Sequence, residues 1–360
     1  MIVYSFEEEK EMSYAYVGCR TTKERNARGK GLKVFKIDEK TGDWDLIQCL
    51  KTEEENPSYQ TMDNEGKFLY SVHGDKTKVS SYKILEDGTL SPLNMIDIGG
   101  KNPVYITADK TNKYLVVAAL QGGAVYVIKR NADGSLGDIV SETHLPGRKE
   151  GTVSFAHQCI WDQTKTFLFV VTQGRIQGYG QVLVYRFDAE NGTLTETDCF
   201  RSREYDEPRH IAIHPNNHYA YLINEKGNKM TYFGFDDVNG KLLPRQNLPT
   251  LPETYTGEGQ ASASLLDKNG EILIGSNRIH ESIVLYRINQ ETGYMKELGY
   301  YPAMGLTPRF ITFNPDYSRF YMANEDSDTI IEMKLDSEQG RMEYTGRVIA
   351  AESPVCITFR

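Results

Sequence analysis

The sequence predicts an all-β ring, a seven-bladed β-propeller of four-stranded antiparallel blades closed by its C-terminal strand. Three observations carry this. A strand-turn-strand unit recurs along the whole chain. A second, hairpin-forming unit follows each copy. No segment shows a sustained 3.6-residue apolar period of the kind an amphipathic helix needs. The first unit opens on a Pro-like tripeptide and reads NPSYQTMDNEGKFLYSV from Asn56, NPVYITADKTNKYLVVA from Asn102 and SFAHQCIWDQTKTFLFVV from Ser154. It returns as EPRHIAIHPNNHYAYLI from Glu207, GQASASLLDKNGEILIGS from Gly259 and TPRFITFNPDYSRFYMA from Thr307, and a fragment, SPVCITFR, ends the chain. Positions 57, 103, 155, 208, 260, 308 and 354 correspond, in steps of 46, 52, 53, 52, 48 and 46.

The second unit alternates apolar and polar residues and ends in a glycine turn, as in VLVYRFDAENGTL and IVLYRINQETGYM. Alternation of this kind marks a strand with one buried face, and the glycine marks a hairpin into an outer strand. Each repeat thus holds about four strands, one propeller blade. Six units are whole. The seventh is split: residues from about 13 to 52 supply three outer strands and 353–360 the inner one, which removes the open sheet edges of a linear array. The organisation expected is an N-terminal tail, 1–12, with a solvated acidic run at 7–10, and one propeller domain, 13–360.

Composition narrows the function classes. Of 360 residues, 41 are Lys or Arg and 50 Asp or Glu, a formal net charge of −9. That balance disfavours nucleic-acid binding, in which phosphate neutralisation dominates affinity. No apolar run reaches the roughly eighteen residues of a membrane span, so no membrane association is expected. The five cysteines are widely spaced without a CxxC pair, which fits reduced thiols in a cytoplasm, with Cys159 and Cys356 as small core residues. The 23 tyrosines suit half-buried strand surfaces. No GxxxxGK[ST], HExxH or GxSxG sequence is present and no His/Cys cluster has zinc spacing, so neither a metal nor another cofactor is expected.

Because the first two strands of a blade form an antiparallel hairpin, the start of the first and the end of the second share one edge. Every blade therefore presents residues at one mouth of the central channel. Inner-strand starts bring Tyr59, Tyr105, His157, Arg209, His210 and Arg309; second-strand ends bring His73, Asn224, Glu225, Asn277, Arg278, Asn324 and Glu325. Arginine forks suit a carboxylate or phosphate, and a histidine with a carboxylate can share acid–base work. Glu225, among cations, is expected to ionise easily. Each of these residues also has a bland reading, capping strands and pairing across blades. His214 and His218 fall on the opposite edge, as solvated turn residues.

At these residues the chain resembles the seven-bladed propeller lactonases, the family of bacterial 6-phosphogluconolactonases and fungal carboxy-muconate cyclases. The likeness runs from YVGCRT near residue 16 to SPVCITF and is most specific in EPRHIAIHPNNHYAYLINE, SNRIHESIVLYRI and TPRFITFNPDYSRFYMANEDSD. It implies His157, Arg209, Glu225 and Arg278 as catalytic residues, and the mouth adds His210, Arg309, His73, Asn277 and Asn324 as candidates for binding substrate. The chain departs from the family at Phe155, Leu120 and Thr172, and carries an insertion at 175–181, all around the mouth. The resemblance implies hydrolysis of a small anionic sugar-acid lactone, 6-phosphogluconolactone by default, with Glu225 or His157 activating water. Arg309 and Arg175 could instead serve a cyclase or isomerase of an unsaturated dicarboxylate. A non-catalytic interaction platform is the reading from a different class.

Overall fold

The computed structural model describes residues 12–360; the N-terminal tail and its acidic run lie outside the described residues. Seven four-stranded antiparallel sheets are present. Six are contiguous in the chain and are called blades I to VI, with innermost strands Pro57–Met62, Pro103–Ala108, Phe155–Trp161, Pro208–Ile213, Gln260–Leu266 and Pro308–Phe313. Blade VII is composite. Its inner strand, Pro354–Phe359, pairs with Met12–Cys19, followed outward by Leu32–Asp38 and Trp44–Leu50. The register Tyr16↔Thr358 and Gly18↔Cys356 joins the two ends of the chain, as the split repeat predicts. The only helical segments among the described residues are two single 3₁₀ turns, Lys23–Arg25 and Glu325–Ser327.

Apolar alternation explains which strands lie where. The second strand of each blade is flanked on both sides and carries the longest apolar runs; Tyr114–Ala119 and Phe167–Gln173 are buried at every position. Outermost strands such as Thr193–Arg201 alternate exposed and half-buried residues. Seven apolar clusters fill the seven gaps between neighbouring blades. Phe167, Phe169 and Val184 of blade III meet Ile211, Leu222 and Phe233 of blade IV, for example, and Tyr16 and Leu32 of blade VII meet Leu69 and Tyr82 of blade I. The ring is therefore closed by hydrophobic burial as well as by strand pairing.

Tyrosines do more than pack. The Tyr16 and Tyr221 hydroxyls donate to the carbonyls of Gly88 and Gly293 in the outer hairpins of the next blade, each at 2.9 Å. Cys19, Cys159 and Cys356 are buried and Cys49 and Cys199 exposed, none in a disulfide. His218 is exposed, but His214 is not a solvated turn residue. It takes the turn position that Asp162 holds in blade III, where Oδ1 accepts from the Thr166 and Phe167 amides. His214 Nδ1 instead accepts from the Asn216 amide, and Nε2 donates to the Gly270 carbonyl of blade V. A histidine with two partners is satisfied in the interior, which its place in a polar HPNN turn conceals.

Candidate active site

One irregularity, repeated around the ring, aims side chains at the channel mouth. Near its start the inner strand bulges in blades I to IV and VI: the pairing jumps from Pro57 to Tyr59, Pro103 to Tyr105, Ala156 to Gln158, Pro208 to His210 and Pro308 to Phe310. A bulge leaves one residue unpaired and turns its side chain away from the ladder. The unpaired residues are Ser58, Val104, His157, Arg209 and Arg309, and all line one cleft of about 200 Å³ at the mouth. Of the residues one place further on, Tyr59, His210 and Phe310 line both this cleft and the channel cavity next to it, and Tyr105 lines the channel cavity alone. Tyr59 stacks on Tyr105 at 4.1 Å, and Tyr105 and His210 meet edge to face. In blades III and V the residue at the Pro position is Ala156 and Ala261, not 155 and 260 as the repeat alignment has it.

Second strands supply the other half by parity. The residue paired with the Pro position points between blades, and the next one faces the mouth, because side chains alternate along a strand. Thus Asn224, Asn277, Asn324 and His73 are fully buried away from the cleft, while Glu225 and Arg278 line it. His73 bonds the Glu55 carbonyl and the Ser80 hydroxyl. Asn277 and Asn324 donate to the Thr250 and Ala303 carbonyls, pinning the links between blades. The structure therefore removes His73, Asn277 and Asn324 from the binding surface and gives them a fastening task. Asn324→Ala should lower stability by about 1–3 kcal/mol, the cost of orphaning a buried polar partner, and leave KM within about twofold. Thermal melts and steady-state kinetics on one preparation check both.

His157, Arg209, Glu225, Arg278, His210 and Arg309 come together. The sequence reading missed Arg20 and Arg25. Arg20 follows Cys19, which pairs with Pro354 in the composite blade as Asn224 does with Pro208, so placing the split blade in the alignment would have found it. Among the described residues, six arginines line the cleft, Arg20, Arg25, Arg175, Arg209, Arg278 and Arg309, against a single lining carboxylate, Glu225. Asp75 and Glu325 pair with the arginines from behind. In a chain of net charge −9, that is a local cationic pocket. Arg175 lies over the Phe155 ring and donates to Gln173, its backbone held by the Glu207 carboxylate. Two of the departures, Phe155 and the insertion, thus build one wall.

Glu225 is the electrostatic centre. Its Oε2 lies 3.4 Å from Arg209 Nε and 2.9 Å from Gln173 Nε2, and its Oε1 3.2 Å from Arg278 Nη2. Burial alone would push its carboxyl up, but the Arg278 and Arg209 charges and the Gln173 amide outweigh that and hold it at about 2. Arg209 Nη1 donates to the Ser262 carbonyl at 2.8 Å; its Nε, ion-paired with Glu225, and the Nε of Arg278 are buried and make no hydrogen bond among the described residues. His157 is buried, and its Nδ1 also has no partner. Burial first, then the Arg209 charge and the neighbouring His210, press its basicity well below the usual imidazole range, so it is neutral at pH 7. A neutral imidazole, two guanidiniums and a pocket rich in positive charge can bind an anion and stabilise a developing oxyanion. No group of three metal-ligating side chains occurs among the described residues.

A closed ring of seven blades with this polar mouth is the architecture of a family of propeller enzymes. The chain belongs to the seven-bladed β-propeller lactonases: the family model described as "Lactonase, 7-bladed beta-propeller" matches residues 14–359. It is thus a lactone hydrolase. It is 26% identical over 310 residues to the 6-phosphogluconolactonase of Bacillus subtilis, covering 84% of this chain and 87% of that one. Identity to the 6-phosphogluconolactonase of Formosa agariphila is 27% over 348 residues, 91% and 94% of the two chains. In fold it is similar to the periplasmic gluconolactonase of Pseudomonas aeruginosa, with a TM-score of 0.86 over 97% of this chain and 99% of that one, at 23% identity. No helix is long and apolar enough to cross a membrane among the described residues.

Proposed function

We propose that this lactonase hydrolyses an anionic sugar-acid lactone, 6-phosphogluconolactone or a close relative, with His157 as the general base. The observation that carries the reading is a neutral imidazole, His157, lining one cleft with the Arg209 and Arg278 guanidiniums. The lactone carbonyl takes N–H donors from these guanidiniums. The His157 imidazole accepts a proton from water as the oxygen attacks the carbonyl carbon, and the guanidiniums stabilise the tetrahedral oxyanion. Collapse breaks the ring C–O bond, and the imidazolium returns its proton to the departing alkoxide. The product is the open hydroxy acid, which releases a proton to become its carboxylate. Glu225 is assigned to holding the arginines, because a carboxylate held at about 2 by two cations is a weak base.

An imidazole pressed down by burial and then by positive neighbours regains the second part of its basicity when an anion binds beside it, since the substrate's charge offsets theirs. Substrate binding and base strength are therefore coupled. The same reading places the enzyme in the cytoplasm, which the five unbridged cysteines support. A second reading, cyclisation of an unsaturated dicarboxylate, draws support from the excess of arginines over carboxylates in the cleft.

The assay compares 6-phosphogluconolactone with unphosphorylated gluconolactone, following acid release at constant pH and subtracting spontaneous opening. Faster turnover of the phosphorylated lactone is expected; no rate above background on either overturns the reading. Because the His157 pKa is depressed in the folded enzyme, its basic form persists as pH falls through 6.5. The rate per enzyme at low substrate should stay level between about pH 8 and 6.5 and fall only below. An acid limb centred above 6.5 would rule this histidine out as the base.

A further inference from the structure

The cleft carries the same three-residue device twice. In blade IV Arg209 is the bulged residue after Pro208, Glu225 follows Asn224 at the end of the second strand, and Arg278, after Asn277 of blade V, closes on Glu225 from the far side. Two blades further round, Arg309 is the bulged residue after Pro308 and Glu325 follows Asn324. Arg20, after Cys19 of composite blade VII, takes the place of Arg278. The ion pairs repeat as well: Glu325 Oε2 lies 3.3 Å from Arg309 Nη1, and Oε1 3.2 Å from Arg20 Nε.

The copies differ in what stands beside them. The blade preceding the first triad contributes His157 at its bulge. The blade preceding the second contributes Ser262, whose hydroxyl donates to the Arg309 carbonyl. So the second copy has the charges without a base. It is also extended: Arg20 Nη1 lies 3.1 Å from Asp75 Oδ2, and Arg25 Nε donates to the same oxygen at 2.8 Å. Among the described residues, three guanidiniums against two carboxylates leave one positive charge at this end, beside Ser58 and Asn102. We propose that the Arg20–Glu325–Arg309 triad, with Arg25, holds the substrate's second anionic group, a phosphomonoester or carboxylate remote from the lactone carbonyl.

This rests on the lactonase reading for its substrate and on the repeat for its site. Guanidinium forks match such anions in geometry and charge. The duplicated device gives the cleft two poles: one beside His157 where the carbonyl reacts, and one two blades away with no reactive partner. The crowding supports it, because burial, and then the like charge of Arg309, lowers the Arg20 pKa to about 10. An arriving anion relieves that repulsion.

The test uses the full chain with Arg309→Gln, whose side chain is partly exposed, and Arg20→Lys, which keeps the buried charge but removes the fork. Three lactones are compared: 6-phosphogluconolactone, glucaric acid lactone with a free carboxylate, and uncharged gluconolactone. Both variants, melting near the parent temperature, should lose roughly 10- to 100-fold in kcat/KM on the charged lactone that the site prefers, chiefly through KM, and less than about threefold on gluconolactone. The larger loss, on phosphate or on carboxylate, identifies the group held. Equal losses on charged and uncharged lactones, or none, overturn the proposal. Calorimetry with inorganic phosphate separates it from the lactonase reading. If no lactone is turned over but phosphate binds and Arg309→Gln weakens it at least tenfold, the site stands and the substrate assignment falls. If phosphate binds both proteins alike, the site falls.

Discussion

Replacing His157 with Gln should lower kcat on the preferred lactone by roughly 10²–10⁴-fold, the range that loss of a general base produces, with little change in KM or melting temperature. The stability half follows from the surroundings. His157 Nδ1 makes no hydrogen bond that Gln would forfeit, and its ring contact with His210, at 5.3 Å between centroids, is edge to face and worth on the order of 1 kcal/mol. The catalytic half follows from chemistry, since an amide accepts hydrogen bonds but does not take up a proton at neutral pH. Burst kinetics and thermal melts on the same preparation separate the two. A variant with unchanged kcat and raised KM would make His157 a binding residue. One that melts many degrees lower would make it a packing residue.

The ring was legible because repetition amplifies a weak signal. Any one of these short strands could be misread, yet seven copies in register leave a single architecture. Hairpin geometry likewise brings His157, Arg209, Glu225 and Arg278 to one mouth from residue order alone. Its errors have two physical sources. A bulge depends on how two strands pair, which composition does not reveal, so Tyr105 is expected on the cleft rim although it lies in the channel below, stacked on Tyr59. Parity was the second: Asn277 and Asn324 stand next to mouth residues in sequence and face away from them in space. Arg20 escaped because its blade is assembled from both ends of the chain, which hides the repeat position that Arg278 and Glu325 make plain.

Glu225→Gln should be the most destabilising single change at the mouth. It leaves Arg209 and Arg278, both nearly fully buried, without their counter-charge, and breaking a buried pair in this way costs about 3–5 kcal/mol. The sign of its pH dependence is fixed. The carboxyl sits at about 2 in the folded enzyme against an ordinary 4.5, so its contribution is fully present above pH 4.5 and is lost as pH falls toward 2. The gap in melting temperature between parent and variant should therefore be widest at neutral pH and narrow below 4.5. A gap that stayed constant to pH 3 would show that Glu225 contributes through shape rather than charge. Turnover should drop as well, by roughly 10²–10³-fold, because arginines freed from the carboxylate no longer meet the oxyanion in a fixed position. A bound anion offers a substitute counter-charge. Phosphate should thus raise the melting temperature of Glu225→Gln more than that of the parent, whereas a Glu225 that contributes through shape rather than charge would leave that difference at zero. Glu225→Asp keeps the charge and should recover more of the lost stability than of the lost turnover, since the shorter side chain restores neutralisation before it restores the reach to both guanidiniums.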